Sequence, residues 1–183
     1  KIFILSTWHS GEGFCIPEFT NDKIDLKSVL GNQINLGFET LSRLYHTYNK
    51  PDLVADNTKF ETEHSIEIQI PLIYHTFKKN VELIPILVGK NTLKSLQNFG
   101  NVLSKFDDEK TFWIISGDML HVDGNHTIQH FNYVIKNNIT NTINEIMDRF
   151  IKHLLRPNPI SFNQQLHNMQ NFGEINKVPP TVC

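Results

Sequence analysis

The sequence predicts an α/β domain in three layers, a mostly parallel central sheet flanked by helices. Three observations carry this reading. Short, nearly uninterrupted apolar runs alternate along the chain with longer stretches in which apolar residues recur every three or four positions, and such runs suit strands buried on both faces. Hydrophobic residues make up 39% of the chain and charged residues 20%, a balance that buries a core rather than leaving the chain disordered. The length of 183 residues is that of one domain, and residues 1–183 show neither an internal repeat nor a linker.

Taken in order, Ile2 to Leu5 is the first strand. Ile34 to Tyr48 places Ile34, Phe38, Leu41, Leu44 and Tyr45 on one helical face, with Gly37 as its weak point. Between Glu67 and Leu72, Ile66, Ile68 and Ile70 alternate with Glu67 and Gln69. Pro71 disfavours a central strand there, so an edge segment and a helix start fit equally well. Val81 to Val88 is the next strand. Thr92 is placed to cap a helix whose Leu93, Leu96, Phe99, Leu103 and Phe106 form an apolar stripe. Phe112 to Ile115 is a further strand. The longest helix runs from His130 to Leu155 through Ile135, Ile139, Ile143, Ile146, Phe150 and Leu154, and Pro157 stops it. A short helix is expected over Ser161–Met169. The first strand begins at residue 2 and the chain ends on Pro179-Pro180-Thr181-Val182-Cys183, so the domain is expected to be incomplete at both ends.

A net charge of −2 and a pI near 6.5 remove the electrostatic reason to expect nucleic acid or an anionic membrane as partner. No window approaches the roughly 18 apolar residues of a membrane span. Cys15 and Cys183 are too few for a disulfide framework, which favours a reduced, cytoplasmic setting.

Chemistry-bearing residues gather at strand ends. His9 follows Ile2–Leu5, and Asp118 and His121 follow Phe112–Ile115. Ligands in open α/β sheets bind beyond the carboxyl ends of strands. A neutral imidazole ligates iron, copper or zinc and moves protons near neutral pH; Asp118 could ligate or fix the tautomer of His121. Nine histidines are present, and an ordinary loop histidine is a solvated one. Glu61-Thr62-Glu63-His64-Ser65-Ile66-Glu67 is the other polar cluster. Either Glu63 and His64 reach a pocket, or Ser65 caps a helix with Glu63, Glu67 and Gln69 as solvated neighbours. His-Glu-x-x-His, Gly-x-Ser-x-Gly, a Gly-rich phosphate loop and Cys-x-x-Cys are all absent, which removes common zinc proteases, serine hydrolases and P-loop enzymes.

Together these stretches resemble the Memo family (mediator of cell motility), whose bacterial members are called AmmeMemoRadiSam system protein B. Ile2-Phe3-Ile4-Leu5-Ser6-Thr7-Trp8-His9 is similar to its strand-then-His segment, and Glu63-His64-Ser65-Ile66-Glu67 to its most recognisable signature. Leu83-Ile84-Pro85-Ile86-Leu87-Val88-Gly89 resembles the strand that follows, Ser116-Gly117-Asp118-Met119-Leu120-His121 an Asp-x-x-His loop, and Thr181-Val182-Cys183 a Thr-x-Cys element. The resemblance implies a fold like that of class III, LigB-type extradiol dioxygenases, with an iron or copper pocket. It also implies His9 and Cys183 as metal ligands, and Asp118 and His121 as residues of the same pocket with His121 as an acid/base. Glu63 and His64 belong to the signature, with no role assigned. In two respects the chain departs from the family pattern. Ser6-Thr7-Trp8 replaces Gly-Pro-Ser before His9, and the family's first histidine lies before Lys1, so this chain is expected to hold metal weakly. A redox or oxygenase-like protein is the first expectation. A small molecule or peptide is the expected ligand; the alternative is a non-catalytic adaptor whose pocket takes a peptide or protein partner, and a domain that keeps only the fold is the third.

Overall fold

The computed structural model describes residues 1–19, 35–77 and 81–117, together with Asp148, Ile151, Lys152 and Leu155. The chain divides into two compact units, Lys1–Gly117 and Asp118–Cys183, and the sheet described below belongs to the first. Its elements are β1 (Ile2–Glu12), β2 (Phe14–Ile16), α1 (Phe38–Tyr48), β3 (Leu53–Ala55), α2 (Thr58–Glu61), α3 (Ile70–Phe77), β4 (Leu83–Lys90), α4 (Leu93–Leu103) and β5 (Phe112–Ser116). Single 3₁₀ turns at Glu67–Gln69 and Ser104–Phe106 lead into α3 and out of α4.

The five strands lie in the order β3-β2-β4-β1-β5. β1 pairs in parallel with β4 and β5, and β2 with β3; β2 against β4 is antiparallel. The sheet is thus mostly parallel, as expected. Ile2, Phe3, Ile4, Leu83, Ile84, Ile86 and Leu87 are buried, because β1 and β4 are central strands covered on both faces. Successive residues of β5 point to opposite faces. Phe112 meets Phe77 of α3 at 5.5 Å between ring centroids, while Trp113 stacks on Phe3 at 4.4 Å, with Phe106 edge-on to Phe3 at 6.0 Å. Helical segments therefore flank the sheet on both sides.

The helices start and stop for local reasons. The Thr92 side chain accepts the Ser95 N–H at 3.2 Å, capping α4 as predicted. Asn49 adopts the left-handed conformation (φ 45°) and returns its N–H to Tyr45 O at 3.0 Å, which closes α1. Phe14 of β2 stacks on Phe99 of α4 at 4.0 Å and meets Tyr48 of α1 edge-on at 5.9 Å. The Tyr48 hydroxyl donates to Asp52 Oδ2 at 3.0 Å, so three elements are tied through one aromatic cluster.

Several expectations shift. β1 extends well past Leu5, to Glu12. The first helix begins at Phe38 rather than Ile34, because Leu36 forms a parallel bridge with Leu83. Glu67 to Leu72 is helical, with Pro71 in the first turn of α3, where its missing N–H costs nothing. β2 and β3, three residues each, carry no periodic signal in the sequence. Asp148, Ile151, Lys152 and Leu155 are helical, in keeping with the long C-terminal helix; the rest of that helix and Ser161–Met169 lie outside the described residues. No helix among the described residues is long and apolar enough to cross a membrane.

Candidate metal centre

The site is built where β1 stops being regular. Thr7 pairs with Val88 and Glu12 with Lys90, so β1 advances five residues while β4 advances two, and three residues are extruded as a large bulge. His9 sits on that bulge with its side chain 44% exposed. Two glycines let it close. A Cβ on Gly11 would overlap the indole of Trp8, which lies across it, and one on Gly89 would overlap the carbonyl of Gly11. Trp8, the large residue where the family pattern has Ser, packs down against the core cluster as well as over its own bulge.

Glu63 comes to His9 from the loop after α2. Its side chain is 5% exposed, yet it is fully partnered. Oε2 accepts the backbone N–H of His9 at 2.9 Å, Oε1 accepts the backbone N–H of Ser65 at 3.1 Å, and His9 Nδ1 lies 3.0 and 3.1 Å from the two oxygens. Burial pushes the Glu63 carboxyl upward, but the His9 and Ser65 N–H groups and the His9 ring outweigh it and hold the group below the usual carboxylate range. The loop is braced from behind by Ser65, whose hydroxyl donates to Thr7 O at 2.7 Å. Reading Ser65 as a helix cap, with Glu63 as a solvated neighbour, is therefore corrected. No side chain caps the turn at Glu67, and the backbone of β1 claims the Ser65 hydroxyl instead.

His64 stacks on His9 at 5.1 Å between centroids, with ring planes 14° apart. One donor atom each from His9, Glu63 and His64 falls within 4.8 Å of the others, a set of two imidazoles and a carboxylate whose chemistry fits a transition metal. The angle matters. Imidazole lone pairs lie in the ring plane, so near-parallel rings do not aim at one point, and His64 must rotate before both rings can hold one ion. Its side chain is 70% exposed, with Nδ1 3.6 Å from Glu63 Oε1. Beneath the bulge, Ser6 and Ser116 face each other in register. Gln69 Nε2 donates to Ser116 Oγ at 3.0 Å, while the buried Ser6 hydroxyl has no partner among the described residues.

Of the predicted site residues, His9, Glu63 and His64 are brought together; Asp118, His121 and Cys183 lie outside the described residues. Cys15 is buried on β2, its thiol pushed up to about 12 by burial, with Asp56 O within 3.5 Å. Ser65 was missed as a strut because its partner, Thr7, is 58 residues away, and nothing local in the sequence signals the contact.

Residues 3–172 match the family described as Memo-like protein. The chain is 31% identical over 124 residues to the protein memo-1 homolog of Caenorhabditis elegans, covering 64% of this chain and 34% of that protein. It is 29% identical over 137 residues to a MEMO1 family protein of Schizosaccharomyces pombe, covering 66% and 42%. With a MEMO1 family protein of the archaeon Nitrosopumilus maritimus the identity is 25% over 125 residues, covering 68% and 44%. The matched stretch thus spans less than half the length of each of these relatives. With a family match over nearly its whole length, the chain belongs to the Memo family.

Proposed function

We propose that this domain binds a transition metal, iron or copper, at the carboxyl end of β1, and that it serves redox or oxygenase-like chemistry on a small molecule. The observation that carries the reading is the gathering of His9, Glu63 and His64, each with one potential donor atom within 4.8 Å of the others. A bound iron or copper ion would supply Lewis acidity and one-electron chemistry. The chain contributes the rest. His9 offers an imidazole from a braced bulge, Glu63 places a negative charge beside that ring, and Trp8 packs over Gly11 of the same bulge. The roles proposed for Cys183 as a thiolate ligand, for His121 as an acid/base and for Asp118 as its partner in the same pocket rest on sequence motifs alone. The cytoplasmic setting rests on the low cysteine count.

Ile68 and Leu72, one helical turn apart and 59% and 67% exposed, favour a second reading. They offer an apolar surface for a peptide or protein partner, the adaptor alternative. Elemental analysis of the full-length protein, prepared anaerobically beside His9→Ala and Cys183→Ala, separates the two. Near-stoichiometric iron or copper in the wild type, lost in both variants, is the expected result. A wild-type protein still metal-free after iron and copper supplementation overturns the metal reading and leaves the adaptor.

A further inference from the structure

We infer that Glu63 is the positioning residue of this centre: it holds His9 as the Nδ1–H tautomer and turns Nε2 outward as the metal-facing atom. The inference rests on the reading of His9 as a ligand and adds which nitrogen binds and what decides it.

Both Glu63 oxygens already accept a backbone N–H, one from His9 and one from Ser65. A carboxylate in that position is an acceptor on each oxygen and has no proton to give. His9 Nδ1, 3.0 Å from one oxygen and 3.1 Å from the other, must therefore be the donor. A nitrogen that carries a proton has no lone pair for a metal. The remaining donor is Nε2, which takes no hydrogen bond among the described residues, on a ring 44% exposed. The clamp is two-pointed. One carboxylate grips both the main chain and the ring of the same residue, so the ring is fixed relative to the bulge that carries it. A carboxylate behind a ligating imidazole fixes the tautomer, orients the ring and strengthens it as a donor. Ser65 completes the device by tying the loop back to Thr7. His64, stacked rather than convergent, is not needed for it.

Long-range proton–nitrogen NMR on the full-length, metal-free protein with labelled histidine reads the tautomer directly. His9 is expected as Nδ1–H with an unprotonated Nε2. Glu63→Ala should release it to the Nε2–H form that free imidazole prefers, and should weaken iron or copper binding about 10–100-fold. Glu63→Gln, which keeps the shape but leaves one acceptor oxygen where two are used, should lose less affinity than Glu63→Ala. An Nε2–H tautomer in the wild type overturns the inference, as does a tautomer unchanged by Glu63→Ala in a folded protein. Because the tautomer is read without metal, failure of the protein to bind iron or copper sinks the metal reading alone; the expected tautomer would still support the clamp.

Discussion

β1 is two structures in one strand. From Ile2 to Thr7 it keeps an unbroken register with β4, and the same register with β5 to Ser116. Its Ile2, Phe3 and Ile4 are almost wholly buried. Between Thr7 and Glu12 the ladder with β4 is interrupted and three residues bulge outward, carrying His9 to the surface. The first half gains its stability mainly from apolar burial, with Ser6 its one buried polar side chain. The second holds its shape through glycines, one indole and a carboxylate, and so can present a charged-partner imidazole to solvent. A parallel strand becomes a functional loop without leaving the sheet.

This division is open to direct attack. Phe3 packs against Trp113 and Phe106, so Phe3→Ala should cost about 3–5 kcal/mol in denaturant unfolding. The metal stoichiometry of the folded fraction should not change. Gly11→Ala should do the reverse. Its methyl group collides with Trp8, costing about 1–3 kcal/mol by overpacking and weakening metal binding through the displaced bulge. Adding Trp8→Ala should relieve part of that loss; strict additivity in the double-mutant cycle would mean that Trp8 does not press on Gly11. Thr92→Ala, which removes a side chain bonded to Ser95 N and not to the bulge, should remove only the α4 cap, about 1 kcal/mol, with no change in metal affinity.

Smallest at neutral pH is the effect of Cys15. Its thiol is raised in the fold from 9.0 to about 12 by burial, so its contribution is fully present below pH 9. It declines as pH rises from there toward 12, because the unfolded chain releases the proton first. Cys15 should resist alkylation at pH 8 in the folded protein and react on unfolding. Rapid labelling of native protein at Cys15 would contradict its burial.

How much of this the sequence discloses follows from length and distance along the chain. β1, β4, β5 and α4 are continuous patterns, and the Thr92 cap is a local rule, so each is legible. β2 and β3 are too short to show alternation and exist because Phe14, Cys15 and Ile16 find partners at Leu53, Val54 and Ala55. The same contrast holds in the site. His9 is conspicuous at a strand end, but its clamp, Glu63, is 54 residues away, within a segment whose local pattern suits a helix cap equally well. The family signature marks Glu63 and His64; only the fold separates their roles, one a buried acceptor and the other an exposed stacked ring.

Anomalous diffraction from crystals of the full-length protein loaded with iron or copper tests the central claim most directly. The account predicts one peak about 2 Å from His9 Nε2, with Glu63 still bonded to Nδ1. A peak between Nδ1 and the Glu63 carboxylate, or none beside either nitrogen of His9, would contradict it.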